Sequence, residues 1–510
     1  MARLPTVGAD DNAWGTVLNE YLQTAHNADG TLKLDVQAIA DLKAIDVATL
    51  SDKQQALVAG YYAPGDGGGG QFYYDAGSSD VDNAGTIIAP DAGAGRWLRA
   101  YSGAVNVRWF GAKGDAVINP TTKKGSGGTN DTPAFEAAFA ASSAVYVPAG
   151  VYRLTATLWN KGSLVGESTK NTFLFFDAVS GDGIKFSDGV WEVGQTIDYQ
   201  ELRNFTIKGS LTGSYRIAVR VENTRYSVVD NISVSMNNVS GACYAAFGFS
   251  DCWGCTFSNL WTFNTTFLST GIGFLLGRSY NANTAYNWYT SNLNCFANVM
   301  DDQAGTVFPS SGGSGSYFNN VCVQGGRYGI RITGALQACV WSAIYSENVV
   351  TPIYLGSSAA VAYSHTFIGG ILGGPSPSHP RYSERRACIE LYSARHCQFT
   401  NINFDGVYGI PPTLYAIWMH AILDCCVDGC KVMGSITSIT PYVVRSVTSG
   451  GGNKLMIRGD HSDASGVYNS MSIVMPVDDA WLNHRIMTVG NDGSWKSVQW
   501  APIATNDPPA

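Results

Sequence analysis

Short apolar runs separated by turn residues recur along the middle of the chain. Each run holds an apolar residue, a small polar residue that is often Asn, and another apolar residue, and successive runs are spaced by roughly thirty residues. A repeat of this length predicts a solenoid, because one coil cannot bury its apolar side alone and stacked coils supply the core. The runs are residues 201–207, 228–234, 255–263, 289–295, 339–347, 366–374, 397–405 and 425–433.

The regions on either side of the repeats carry other patterns. Residues 57–104 hold short β-type runs between Gly, Asp and Asn turns, which predicts a small β unit. The repeat fades near Ile457, and residues 460–510 contain alternating runs that predict a second small β unit. The role of this last unit stays open between a cap, a trimer-forming piece and a sugar-binding module.

Two stretches have the spacing of helices. In residues 132–141, Thr132 can cap the helix, Pro133 suits its first turn, and Phe135 and Phe139 share one face. In the stretch DVQAIADLKAID, residues 35–46, apolar residues also recur at a helical spacing. This second helix either packs against copies of itself at a three-fold axis or is an ordinary surface helix.

Composition narrows the class of protein. Of the 510 residues, 45% are hydrophobic, only 14% are charged and 58 are glycine, which suits an all-β chain with many tight turns. The net charge of -8 argues against nucleic-acid binding and against adhesion to anionic membranes. We expect no membrane insertion, since no apolar run of about eighteen residues occurs. The N-terminal sequence has no signal-peptide pattern, so we expect synthesis in a cytoplasm and release by lysis or on a particle.

The eleven cysteines do not form a recognisable redox or metal motif. The Cys252–Cys255 spacing lacks the βαβ context of a redox site, and the cluster at 425–430 lacks a zinc-type partner pair. We therefore expect buried, reduced thiols that pack as small apolar side chains, with neither a metal nor a cofactor. In the aligned runs four cysteines share one position: Cys255, Cys339, Cys397 and Cys425.

Three motifs resemble one known family. They are FGAKGD at 110–115, NDTPAFEAAF at 130–139 and VYVPAGVYRL at 145–154. Together they closely resemble the opening of the pectate-lyase-like right-handed parallel β-helix of phage tailspikes and tail-fibre depolymerases. Residues 57–104 are similar to the small β unit that precedes this fold in many tailspikes, and residues 1–35 look like a particle-attachment segment.

The resemblance implies an all-β fold built on a right-handed parallel β-helix, with helix 132–141 plugging its N-terminal end. We expect an attachment segment and helix at 1–56, a small β unit at 57–104, the β-helix at 105–458 and a C-terminal β unit at 459–510. The resemblance further implies a homotrimer on a phage tail or tail-like particle, attached through its N-terminus and acting outside the cell on bacterial surface polysaccharide.

Hydrolysis of a glycosidic bond usually requires two carboxyl groups. Alignment of Cys339 with Cys397 puts Glu347 and Asp405 at matching positions two coils apart, with Gln324 one coil before Glu347. Neighbouring strands lie about 4.8 Å apart, so the two backbones would be roughly 10 Å apart. Flexible side chains bring such a pair into the span of about 6.5–9.5 Å of an inverting glycosidase. Asp302, in the irregular segment after residue 296, is a third catalytic candidate.

Aromatic, arginine and histidine side chains supply the candidates for substrate binding. Aromatic rings are dense between residues 250 and 290, and Trp261, which falls within the coil pattern, is expected in the core. An excursion at 373–396 concentrates Arg and His in an acidic chain, and these either bind an acidic sugar or pair with glutamates across a subunit contact. The predicted substrate-binding residues are Gln324, Arg327, Trp253, Trp288, Tyr345, His379, Arg381 and Arg385.

The sequence favours a depolymerase that recognises and hydrolyses capsule, exopolysaccharide or O-antigen. One alternative is a receptor-binding tail fibre of the same fold that does not cut. Another is a lyase acting on a uronic-acid-containing glycan, with His365, His379 or Tyr382 as the base. A secreted bacterial lyase or epimerase is disfavoured by the missing export signal and by the attachment-like N-terminus.

Overall fold

A computed structural model gives the fold. It describes residues 4–23, 34–160, 162–187, 197–213, 216–263, 265–276, 288–289, 292–298, 304–308, 313–333, 336–358, 360–384, 387–405, 415–423, 425–433, 442–447, 453–462, 468–477, 486–489 and 495–498. The chain forms two compact units. The first holds residues 1–117, 127–154 and 162–167, and the second holds residues 118–126, 155–161 and 168–510. The four-part division expected from the sequence stays a prediction.

A small sheet forms the early part of the first unit. Its four main strands are antiparallel, and a two-residue strand pairs with them in parallel. Alternate side chains point into one core, so strand Gly70–Asp75 buries Phe72 and Tyr74. The strands are Asp35–Val36, Gln55–Val58, Gly70–Asp75, Ile87–Ile88 and Arg96–Arg99. The predicted small β unit is therefore present.

Arg99 explains the glycine run beside this sheet. The guanidinium is buried and donates to the carbonyls of Gly68, Gly69 and Gly85, and burial lowers the pKa of Arg99 to about 10. At Gly68 a Cβ atom would lie 2.6 Å from the carbonyl oxygen of Arg108, so a larger residue does not fit. The run is therefore structural in this chain.

The helices of the first unit are Trp14–Leu22, Ile39–Lys43 and Thr132–Ala141, with 3-10 turns at Val47–Thr49 and Val107–Phe110. Ile39 and Leu42 are buried in the core of the small sheet. Helix Ile39–Lys43 thus packs against the small sheet through these two residues, and the choice between a three-fold contact and a surface helix stays open.

The motif residues around helix Thr132–Ala141 hold a loop in place. The carboxylate of Asp131 accepts hydrogen bonds from the backbone amides of Lys113 and Gly114, at 2.7 and 3.1 Å. Burial raises the pKa of Asp131 to about 6, although both amide donors act in the opposite direction. Asp131, not Thr132, occupies the N-cap position, since Thr132 already has helical geometry. The FGAKGD and NDT motifs therefore specify the fold.

The remaining strands of the first unit form a short parallel ladder. They are Val105–Asn106, Ala144–Val147, Gly150–Leu154 and Ser163–Gly166. Two short strands, Val117–Ile118 and Gly125–Ser126, lie near the boundary between the units in sequence.

Two long parallel sheets build the second unit, and each strand pairs with the strands one coil before and after it. The first sheet contains Thr172–Ser180, Glu201–Thr212, Val228–Ser235, Thr256–Thr262, Asn292–Asn298, Tyr317–Gln324, Val340–Glu347, Thr366–Gly373, Gln398–Thr400, Asn403–Asp405, Cys426–Asp428, Lys431–Met433 and Asn453–Ser462. The second sheet contains Leu158–Asn160, Ile184–Phe186, Ile197–Asp198, Ile217–Arg225, Cys243–Trp253, Phe267–Leu276, Trp288–Tyr289, Ala304–Phe308, Gly313–Ser314, Tyr328–Ile332, Leu336–Gln337, Thr351–Leu355, Ala362–Tyr363, Ala387–Arg395, Tyr415–Leu423 and Tyr442–Val447. The predicted parallel β-helix is confirmed by this pairing.

The parallel order ends near the C-terminus. Strand Asn453–Ser462 is parallel to the coil before it and antiparallel to Tyr468–Val477. Strands Ile486–Val489 and Trp495–Val498 form a separate antiparallel pair.

A left-handed residue interrupts the strands of the first sheet at one recurring position. The φ angles of Asn204, Asn231 and Asn259 are 66°, 52° and 50°, and Asn231 Nδ2 donates to Asn204 Oδ1 at 2.9 Å. Asn tolerates this conformation better than most residues. The small polar kink seen in the sequence repeat is therefore a backbone requirement. Later coils use Asn320, Ala343, Gly369, Asn401 and Gly429 at this point.

The shared cysteine position is a buried column just before the strands of the first sheet. Four of its side chains bond the carbonyl two residues earlier in the preceding turn: Ser227, Cys255, Cys339 and Cys397. Cys397 Sγ donates to Ala362 O and Cys425 Sγ to Ala394 O, while His365 Nε2 bonds Leu336 O at the equivalent place. The prediction of buried, free thiols in one register is confirmed. The column contains Ser227, Cys255, Ser316, Cys339, His365, Cys397 and Cys425.

Aromatic rings stack from coil to coil inside the second unit. Phe318 and Trp341 have ring centroids 3.8 Å apart, and Phe367 and Phe399 lie at 5.0 Å, all nearly parallel. Trp341 also stacks on Phe367 at 5.6 Å. In-register packing of one aromatic per coil therefore fixes the coils against each other.

Candidate functional site

Glu347 lies at the end of strand Val340–Glu347, on the outer face of the first sheet. Its Oε2 atom accepts hydrogen bonds from Gln324 Nε2 and from the Tyr345 hydroxyl, both at 3.4 Å. Gln324 pairs with Glu347 in register, and Tyr345 is 41% exposed two residues earlier on the same face. Three of the predicted site residues therefore form one cluster, which we call the Glu347 cluster.

The strand register places Asp405 in the same column as Glu347. Ser346 pairs with Leu372, which pairs with Phe404, so the next residues of these strands, Glu347 and Asp405, are two strands apart. This is the register that the cysteine alignment predicts. Two strand spacings are about 10 Å at the backbone. The structure describes the backbone of Asp405, and its catalytic role stays a prediction.

A loop of residues 374–384 is held by contacts to two residues that follow the strands of the Glu347 cluster. The amide of Ser376 donates to Asn348 Oδ1 at 2.7 Å, next to Glu347 in the chain. At the other end, Glu384 pairs with Arg327 at 3.5 Å and also pairs with Arg381. Arg327 and Arg381 therefore meet at this loop, where both guanidinium groups face the carboxylate of Glu384.

The histidines expected to act as bases are buried. His379 is 7% exposed, and its Nδ1 accepts a hydrogen bond from the amide of Arg381. His365 is fully buried in the cysteine column, where burial lowers its pKa to about 4. His365 is therefore wrong as a surface base, because the register turns its side chain inward. Tyr382 opens the 3-10 turn Tyr382–Glu384 in the same loop.

The remaining predicted site residues are Trp253, Trp288, Asp302 and Arg385. Trp253 ends a strand of the second sheet, is 43% exposed and donates through Nε1 to Asp251 Oδ1, so it is not on the sheet of the Glu347 cluster. The backbone of Trp288 pairs with Cys252 in that second sheet. Asp302 and Arg385 lie outside the described residues.

A groove on the first sheet was not anticipated from the sequence. It has a volume of about 470 Å³. Trp261 is 48% exposed and Phe263 is 55% exposed at its edge, so the expectation that Trp261 lies in the core is wrong. The preceding residue, Leu260, is the buried one, because alternation resumes with an inward residue after the kink at Asn259. The groove is lined by Thr169, Lys170, Thr206, Asn231, Ser233, Trp261 and Phe263.

The described part of the chain has neither a metal-binding cluster nor a membrane-spanning helix. Within it, no cluster of three or more His, Cys, Asp or Glu side chains is arranged to hold a metal ion. No helix in these residues combines the length and apolarity needed to cross a membrane.

Comparison with known proteins identifies the small domain. Residues 35–102 match the family model of the phage tail protein small four-stranded β-sheet domain. This range contains helix Ile39–Lys43 and the whole small sheet. No curated protein matches the chain.

Several solved tailspike structures are similar to the chain. The tailspike of Acinetobacter baumannii phage AM24 is 14% identical with a TM-score of 0.46, over 84% of this chain and 68% of that one. The enzymatically active domain of bacteriophage CBA120 tailspike protein 4 is 12% identical with a TM-score of 0.47, over 85% and 54%. The chain thus spans little more than half of the CBA120 protein.

A third similar structure is the tailspike gp49 of Acinetobacter baumannii bacteriophage Fri1, which is described as a capsular polysaccharide depolymerase. It is 12% identical with a TM-score of 0.41, over 88% of this chain and 76% of that one. The chain thus combines a small domain that matches a phage tail family model with a parallel β-helix, the two features that the resemblance to phage tailspikes implies.

Proposed function

We propose that the protein binds and hydrolyses a bacterial surface polysaccharide on the outer face of the first sheet. The observation that carries this proposal is the Glu347 cluster, in which a strand-end carboxylate, an amide and a phenol converge, with Asp405 in the same column. Two carboxyl groups about 10 Å apart at the backbone match the requirement of an inverting glycosidase, which needs room for a water molecule.

The two carboxyl groups take different roles in this proposal. Glu347 Oε2 already accepts two hydrogen bonds, an arrangement that suits a carboxylate acting as base toward the attacking water. Asp405 then donates its proton to the glycosidic oxygen of the leaving sugar. The Tyr345 ring and the Gln324 amide orient the carboxylate and contact the glycan hydroxyls.

Hydrolysis is favoured over elimination by the surroundings of the cluster. A lyase needs a cation to steady the charge that develops on the substrate carboxylate. Arg327 and Arg381 both pair with Glu384, whose carboxylate offsets one of the two positive charges, and His365 is buried. A non-cutting receptor binder remains the second candidate, and it differs from the first in the assay below.

The test uses Glu347→Gln and Asp405→Asn with purified capsule or lipopolysaccharide. We expect each variant to release reducing ends about 10³-fold more slowly than the parent protein, with binding kept. Glu201→Gln is the matched control, because Glu201 is an exposed carboxylate of the same sheet, paired with Arg203. Full activity in both site variants refutes the assignment. Product that absorbs ultraviolet light indicates a lyase, and binding without either product indicates a receptor binder.

The first unit fits attachment to a phage tail or tail-like particle, since its small domain matches a phage tail family. The protein would then act outside the cell as part of the virion. We also propose a homotrimer, as in the tailspikes that the sequence resembles. Light scattering during gel filtration measures the mass of the assembly, and a monomer would contradict the trimer.

A further inference from the structure

The groove beside Trp261 has a floor of small side chains and an aromatic edge. Thr206, Ser233 and Trp261 are register partners on three successive strands of the first sheet. Thr and Ser leave space on two coils, and the larger Trp261 side chain closes the groove on the third. Phe263, two residues after Trp261 on the same face, extends the edge. The groove on the outer face therefore runs beside two exposed aromatic rings.

One positive charge lines this groove, in a chain of net charge -8. Lys170 is the one charged residue among those that line it. Lys208 lies two residues beyond Thr206 on the same face, where its Nζ donates to Ser235 Oγ at 2.9 Å. The nearest carboxylate along the strands, that of Asp230, accepts hydrogen bonds from Ser258 and Asn259. A ligand in the groove thus meets a cation beside its aromatic edge.

The groove and the Glu347 cluster share one column of the sheet. Trp261 pairs with Phe296, Phe296 with Cys322, and Cys322 with Tyr345. Trp261 and Tyr345 are therefore three strands apart, about 14 Å along the β-helix axis. A glycan of a few sugars that runs parallel to the axis spans this distance.

We propose that the groove binds an acidic sugar of the polysaccharide, a unit carrying a carboxylate such as a hexuronic acid. Its apolar ring face stacks on Trp261 and Phe263, and its carboxylate pairs with Lys170. Hydroxyls of the same sugar contact Ser233 and Asn231. This inference rests on the proposed function, because it places the substrate of the Glu347 cluster along the same face.

Binding is measured by affinity electrophoresis in gels that contain polygalacturonate, alginate or hyaluronate, with dextran and pullulan as neutral polymers. We expect at least one acidic polymer to retard the full chain and the neutral polymers to retard it less. Trp261→Ala should weaken the acidic interaction about tenfold, and Trp261→Tyr, which keeps a flat ring, should restore most of it. Lys170→Gln should weaken it about fivefold at low salt, and this difference should vanish at high salt.

Tyr317→Ala is the matched control, because Tyr317 is 62% exposed on the same sheet but does not line the groove. Circular dichroism and thermal unfolding establish that each variant is folded. The proposal is overturned if no acidic polymer binds, if Trp261→Ala binds like the Tyr317→Ala control, or if Lys170→Gln weakens neutral and acidic binding equally.

Failure of this inference and failure of the proposed function give different results. If the parent protein and Trp261→Ala cut a polymer equally fast, the groove takes no part in the reaction, and the Glu347 assignment is unaffected. If binding depends on Trp261 but no reducing ends are released, the catalytic proposal is refuted and the binding role of the groove is kept.

Discussion

Acid should destabilise this protein through one buried imidazole. His365 has no exposed surface, and burial lowers its pKa from 6.5 to about 4. Between these two values the unfolded chain binds a proton that the folded chain excludes, so the free energy of unfolding falls as the pH falls. Above pH 6.5 the group causes no loss of stability. At pH 4.5 the loss worked from these pKa values is about 2.5 kcal/mol.

The cysteine column supplies the variant that tests this reasoning. Cys397 and Cys425 hold the position of His365 in later coils and bond the equivalent carbonyls of the coil before. His365→Cys should therefore keep a donor toward Leu336 O while removing the titrating group. The smaller side chain leaves unfilled space, which we expect to cost about 1 kcal/mol at every pH.

Urea unfolding followed by circular dichroism at pH 7.5 and pH 4.5 gives the measurement. The change in unfolding free energy between the two pH values is compared in the parent protein and in His365→Cys, so that other titrating groups cancel. We expect the variant to lose about 2.5 kcal/mol less than the parent. Cys339→Ser, in the same column, should behave like the parent. An unchanged pH dependence in His365→Cys, or a native His365 resonance titrating near 6.5, refutes the reasoning.

Three further predictions concern the packing of the fold. Asp131→Ala removes the acceptor of the Lys113 and Gly114 amides and should lower the free energy of unfolding by about 2–3 kcal/mol, measured by urea titration; a loss below 0.5 kcal/mol would contradict the structural role of the motif. Trp341→Ala opens the aromatic stack and should cost about 3–5 kcal/mol, far more than Trp261→Ala at the surface; similar losses would show that the register is wrong. A thiol reagent should label the native protein slowly, with the partly exposed Cys322 and Cys426 first, and all eleven cysteines after denaturation; rapid labelling of Cys397 would contradict the buried column.

The repeat pattern predicted a solenoid and the shared cysteine position, the spacing of residues 132–141 predicted their helix, and the family resemblance predicted a parallel β-helix. Counting from the shared cysteine position also predicted the register that aligns Glu347 with Asp405. Whether a single side chain points inward or outward was harder to predict. Leu260 and Trp261 are adjacent apolar residues, and only the backbone after the left-handed Asn259 decides that the leucine turns inward.

Contacts between segments that are distant along the chain could likewise not be predicted from the sequence. Nothing local pairs Arg327 with Glu384, since the two residues meet through a loop that leaves the coil and returns to it. The groove was missed for a related reason, because its lining comes from four separate segments that only the stacking of coils brings together.

The equal spacing of the coils fixes the distances between sites along the β-helix. The interval between Trp261 and Tyr345 is a whole number of strand steps, and it can change only by a whole step. Duplication or loss of one coil between them would shift the two sites by about 4.8 Å while leaving each one intact. Such a chain could bind a glycan of different repeat length without any change in the groove or in the Glu347 cluster.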